Sequence, residues 1–209
     1  MEIIQNERDI MIALNHPFIV KLFASFESST YLVFVLEYCS GGELFFLLRK
    51  VRRMSEEEAF FYFSEICFAM KHLHENNIVY RDIKPENILI DFDGHLRIAD
   101  FGLSKPNMQP DDVAYSFCGS PEYMAPEMLL KSGHSFQLDL YCLGALLYEL
   151  VTGLPPFYSR NREEVCKKIL NQKLTFPIPL SVEIKDLLTF LLHKNPKKRI
   201  STVDGILNH

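Results

Sequence analysis

From Tyr31 to Leu36 the chain is a run of aromatic and β-branched side chains, and Leu22 to Phe26 is a weaker run of the same kind. Both predict strands, with Ser28, Ser29 and Thr30 supplying the turn between them. Gly41 and Gly42 break that pattern. Ser55 followed by Glu58 forms a capping box. Behind it Phe60, Phe63, Ile66, Cys67, Met70 and Leu73 recur every three or four positions, which predicts one amphipathic helix running to about His74. Asn76 and Asn77 stop it. Ile88 to Ile90 and Leu96 to Ile98 flank Asp93-Gly94 and predict a short hairpin. Residues 104–122 hold three prolines and little periodicity, a long loop of the kind that usually has a function. Helices resume at about 138–151, 162–170 and 182–192, the last with Ile184, Leu187, Leu188, Leu191 and Leu192 in one stripe. Pro155-Pro156, Pro177 and Pro179 punctuate the connections. A small strand-rich piece therefore precedes a larger helical body, and a hinge is expected near residue 40.

Composition adds exclusions. Apolar residues make up 48% of the 209 and charged residues 23%, as in an ordinary folded domain and unlike a disordered chain. The net charge of −5 disfavours phosphate-neutralising nucleic-acid binding and suits a basic partner. No apolar run reaches the length of a membrane span, and residues 1–7 lack the pattern of a signal peptide. The expected setting is the cytoplasm, with the nucleus open. Cys39, Cys67, Cys118, Cys142 and Cys166 are scattered without Cys-x-x-Cys, so neither a disulfide frame nor a zinc site is expected. His72 and His74, two apart on a helix, face different ways and share no metal. Lys197 and Lys198 read as a solvated face.

The chemistry concentrates in Tyr80-Arg81-Asp82-Ile83-Lys84-Pro85-Glu86-Asn87, between the long helix and the hairpin, and in Asp100-Phe101-Gly102 after the hairpin. Phosphoryl transfer needs a positioned hydroxyl, spread positive charge and Mg²⁺. Mg²⁺ takes hard oxygen ligands, one or two of them from protein. Asn87 and Asp100 offer such oxygens. Asp82 offers a base for the hydroxyl proton, and Lys84 a cation near the transferring group.

These segments resemble the catalytic loop and metal-binding motif of eukaryotic protein kinases. Tyr80 in place of the usual His is similar to the AGC group, which includes the cyclic-AMP-dependent, Akt-like and SGK-like kinases. Glu37-Tyr38-Cys39-Ser40-Gly41-Gly42-Glu43-Leu44-Phe45 resembles the AGC hinge, and Phe117 to Glu127 resembles the activation segment with its Ala-Pro-Glu end. The resemblance covers the chain from about Asn6 to His209. It implies an α+β, bilobal kinase fold, with residues 1–38 a remnant of the small lobe and 39–209 the helical lobe. It implies a serine/threonine kinase using ATP and Mg²⁺. Asp82 would be the base, Lys84 the phosphate contact, and Asn87 and Asp100 the metal ligands. Leu36, Glu37 and Cys39 would receive adenine, with Glu86 and Leu89 completing the nucleotide contacts. Glu43, Glu86 and Glu149 would read basic residues near the acceptor, with arginine three residues before it preferred; Glu149 could instead pair within the protein. Ser116 would be the activation-loop phosphosite, served by an upstream activating kinase and held by Arg81 and Lys105. Phe101, Gly102, Asp139 and the Glu127–Arg199 pair would be structural.

The sequence also departs from the family. Glu7 matches the glutamate of the regulatory helix, but its lysine partner and the glycine-rich loop are not among these residues and are expected upstream of Met1. Leu140-Tyr141 stands where the group has an aromatic pair, and Ser120 where it has threonine, keeping a hydroxyl. The rival reading is a non-catalytic, kinase-shaped binding module.

Overall fold

The computed structural model describes residues 2–28 and 30–209; Ser29, one of the expected turn residues, lies outside them. Helix α1 (Glu2–Ala13) leads into an antiparallel pair, β1 (Leu22–Glu27) and β2 (Leu32–Leu36), with a bulge between Leu22 and Ala24. Then come β3 (Gly42–Glu43), α2 (Leu44–Val51) and α3 (Glu56–Glu75). The hairpin β4 (Ile88–Ile90) and β5 (Leu96–Ile98) joins β3 in a three-stranded sheet ordered β3-β4-β5. Five helices follow: α4 (Pro126–Leu129), α5 (Gln137–Thr152), α6 (Arg162–Asn171), α7 (Val182–Leu191) and α8 (Val203–Leu207). The architecture is mixed α+β, as the resemblance implies.

Helix α3 starts where its cap dictates. The Ser55 hydroxyl accepts from Glu58 N at 3.2 Å, and the Glu58 carboxylate accepts from Ser55 N at 2.8 Å. Its buried face is Ala59, Phe63, Ile66, Met70 and Leu73, a four-three repeat. Phe60 sits one residue, about 100°, off that phase and is 70% exposed, contrary to its expected place in the stripe. Helix α5 is buried nearly all round, from Leu138 to Val151, and is the centre of the core. It ends at Gly153, whose φ of 90° is left-handed and where a Cβ would lie 2.4 Å from the Arg52 carbonyl.

Val33, Val35 and Leu36 lie in the expected strand yet are 49%, 42% and 40% exposed, because the two-stranded β1–β2 ribbon has too few neighbours to cover both faces. After the break at Gly41 and Gly42 the chain turns helical at once, over Leu44–Val51, and Arg52 closes that helix with φ 70°.

Candidate active site

The catalytic-loop segment is shaped from below by α5. Asp139, in the first turn of α5 and fully buried, accepts from Tyr80 N at 2.9 Å and Arg81 N at 2.8 Å, while His74 Nε2 lies 2.9 Å from it. A carboxylate at a helix N-terminus suits the dipole. This clamp holds Arg81 at φ 71°, a conformation few non-glycine residues adopt. His74, which sequence alone made unremarkable, thus belongs to the support of the loop. Tyr80 is buried, donates to the Ala99 carbonyl at 2.5 Å and meets the Phe101 ring edge-on at 5.5 Å. Burial, reinforced by the nearby carboxylate of Asp82, pushes its phenol well above the ordinary value, so it stays neutral.

Beyond the clamp the loop turns Asp82 into the site. Asp82 Oδ2 accepts from Lys84 Nζ at 2.7 Å and from Asn87 Nδ2 at 2.8 Å; Asn87 Nδ2 also reaches the Asp82 carbonyl at 3.0 Å. Lys84 Nζ donates on to Ser120 Oγ at 3.2 Å, so the serine at this position keeps the contact its hydroxyl makes possible. Gly119 (φ 95°) runs close beside the loop: a Cβ there would sit 3.2 Å from the Arg81 carbonyl and 4.0 Å from Asp82 Oδ1. Four residues from two segments therefore converge: a buried carboxylate, its cation, an amide and a hydroxyl.

Asp100 is exposed, with φ 58°, and its carboxylate accepts from Gly102 N at 3.2 Å. Asn87 is tied to it through the backbone, since Asn87 O accepts from Ala99 N at 2.9 Å. Glu7 on α1 sits beside this turn. Burial, then the charge of Asp100, raises its carboxyl, and the Phe101 N–H opposes them. Among the described residues no group of three His, Cys, Asp or Glu side chains could hold a metal unaided. Asn87 and Asp100 are hard oxygen donors that fit Mg²⁺ when phosphates complete its shell.

The hinge residues follow β2. Glu37 N donates to Lys21 O at 2.9 Å, and its carboxylate lies 3.4 Å from Arg97 Nε. Cys39 is half-buried and accepts from Gly42 N at 3.4 Å. Leu89 is half-buried on β4, across from Glu43 on β3. Burial and the charges of Glu86 and Glu122 push the Glu149 carboxyl up to about 8. The Tyr123 hydroxyl donates to Glu149 Oε2. Glu86 and Glu149 are thus brought into one acidic group, with Glu122 added; Glu122 and Tyr123 could have been found in the sequence only as neighbours of the Ala-Pro-Glu motif.

At the activation segment Arg81 Nη1 donates to Ser116 Oγ at 2.5 Å, and Arg81 Nε to the Leu103 carbonyl at 2.6 Å. Among the described residues the hydrogen bond to Ser116 comes from Arg81 and not from Lys105, whose backbone instead pairs with Val79 at 2.8 and 3.0 Å. Arg199 and Glu127 form a buried, two-pronged pair at 2.6 Å on both arms, and Arg199 also donates to Gln137 O and His193 O at 2.9 Å.

The protein kinase domain model matches residues 1–209. The chain is 46% identical to the serine/threonine-protein kinase Sgk2 of Homo sapiens, over 95% of this chain and 54% of that protein. It is 46% identical to the serine/threonine-protein kinase YPK1 of Saccharomyces cerevisiae, over 97% of this chain and 30% of that one. The RAC family serine/threonine-protein kinase homolog of Dictyostelium discoideum is 43% identical over 98% of this chain and 46% of its own length. The chain spans about half the length of the first of the curated relatives it matches.

Proposed function

This chain belongs to the protein kinase family, as an AGC-type serine/threonine kinase, and we propose that it transfers the γ-phosphoryl group of ATP to serine and threonine hydroxyls of proteins with basic residues near the acceptor. The observation that carries the reading is the convergence of Lys84, Asn87 and Ser120 on or beside Asp82. Asp82 orients the acceptor hydroxyl and takes its proton as the Oγ–phosphorus bond forms. Asn87 holds that carboxylate in place with its amide nitrogen. Lys84, already bridging Asp82 and Ser120, stabilises charge on the phosphoryl oxygens. Asn87 and Asp100 would hold Mg²⁺, which would supply positive charge against the phosphates. Glu37 and Cys39 receive adenine through their backbone groups, with Leu36 behind them, and Glu86 and Leu89 complete the nucleotide contacts. Residues 1–38 act as part of the small lobe and 39–209 as the helical lobe. An upstream kinase acts on Ser116, and a phosphate there gains Arg81 as its cation. The interior of the cell, where ATP is at hand, is the setting.

The test is turnover of an arginine-bearing serine peptide by the purified full-length protein with Mg²⁺ and ATP. Asp82→Asn should lower it about 10²–10⁴-fold, with the thermal melting curve unchanged. Equal turnover by wild type and Asp82→Asn, or nucleotide binding by neither, overturns the reading and favours a binding module.

A further inference from the structure

Arginine stands three residues ahead of a serine or threonine at two places in this chain: Arg52 before Ser55, and Arg199 before Thr202. The structure separates them. Arg199 is buried and its guanidinium is committed to Glu127, so it cannot mark Thr202 for anything. Arg52, Arg53 and Ser55 are all exposed. Ser116, in contrast, has Val113 at the corresponding place, so the specificity proposed above passes it over.

We infer that Ser55 is a phosphorylation site for a second copy of this chain; the inference rests on the proposed basophilic kinase activity. Asp82 of one copy takes the Ser55 Oγ proton of the other. The Oγ–phosphorus bond forms, the bond from phosphorus to the β-phosphate oxygen breaks, and ADP leaves with the electron pair. Arg52 and Arg53 supply the cations that the acidic group around Glu149 and Glu86 would pair with. Presentation needs a small opening. Ser55 is already extended, with φ −61° and ψ 160°, but Met54 is buried and its N–H donates to Leu150 O at 2.8 Å. The connector lifts by giving up that bond, the Met54 side chain and the capping contacts between Ser55 and Glu58, a local opening at the start of α3 that leaves the rest of the helix in place.

The modification changes α3 at its cap. Ser55 Oγ now donates to Glu58 Oε2 at 2.8 Å, and the same carboxylate accepts from Ser55 N. A phosphate of about −1.5 to −2 charge expels Glu58 by repulsion and takes over the first-turn N–H groups of a 20-residue helix, where the dipole favours an anion. Glu56, which accepts from Ser181 N at 2.8 Å, is adjacent, so the start of α7 feels the change.

Three substrates are offered to the wild-type full-length protein with Mg²⁺ and ATP, and sites are read by tandem mass spectrometry: an unrelated arginine-bearing peptide, a peptide of residues 49–60, and the full-length Asp82→Asn protein. We expect phosphate on Ser55 in the last two. Arg52→Ala should reduce it at least tenfold in both, and the phosphorylated chain should show a shifted melting temperature. If the unrelated peptide is not modified, the proposed function itself fails. If that peptide is modified but Ser55 in the folded chain is not, or Ser55 labelling survives loss of both Arg52 and Arg53, the inference fails and Ser55 is a helix cap alone. Ser55→Asn, which keeps a cap, controls for folding and should remove the label.

Discussion

If Glu149 reads arginine as proposed, its protonation state bears directly on substrate binding. Its carboxyl is held up to about 8 by burial and by Glu86 and Glu122. Near neutral pH it is largely protonated in the free protein, and an incoming arginine must draw off that proton. KM for an arginine-bearing peptide should therefore fall as pH rises through about 8, and Glu149→Gln should flatten that part of the profile and raise KM; steady-state kinetics from pH 6.5 to 9 checks both. The sign for stability is opposite. The folded carboxyl titrates above the unfolded one, so its neutral form is tolerated at low pH, and stability is lost as pH rises from about 4.5 through about 8. The residues that bear chemistry were legible because Asp82, Lys84, Asn87 and Asp100 lie close together in sequence. Their supports were not: that Tyr123 would donate to Glu149, or His74 meet Asp139, depends on which helix faces which. No local pattern encodes a contact between residues so far apart.

At the scale of elements, legibility followed the strength of the local signal. Helix α3 announced itself through Ser55, Glu58 and a four-three apolar repeat, and the hairpin through Asp93-Gly94. Helix α2 did not, because Leu44-Phe45-Phe46-Leu47-Leu48 is apolar without periodicity and follows two glycines. The expected stripe of α7 shows what packing adds: Leu188 and Leu191 are fully buried, against Gly144 on α5 in the case of Leu191. A Cβ on Gly144 would lie 2.6 Å from Leu191 Cβ. Gly144→Ala should lower stability by about 1–3 kcal/mol by overpacking, although alanine is the better helix former; urea unfolding with an unchanged m-value is the measurement.

Across the whole molecule stability is uneven. The β1–β2 ribbon has Phe23 and Phe26 each 61% exposed and Tyr31 74%, whereas α5 is sealed in the core. Amide protons of β1 and β2 should exchange well before those of α3 and α5 in a hydrogen-exchange time course. The helical body is fastened by Arg199. Removing it in Arg199→Ala leaves Glu127 a buried, unpaired charge and should cost about 3–5 kcal/mol, read as a lower urea midpoint; Arg199→Lys, one prong in place of two, should fall between. The pair was foreseen from kinase resemblance, not from spacing, since 72 positions separate its members.

The clamp made by Asp139 has one more implication. It grips main-chain amides, so the identity of the side chains at Tyr80 and Arg81 is irrelevant to the grip itself. The bend that aims Asp82 is consequently a property of where α5 begins. Anyone grafting this loop into a foreign scaffold would have to bring that helix start along, or inherit the right letters in the wrong shape.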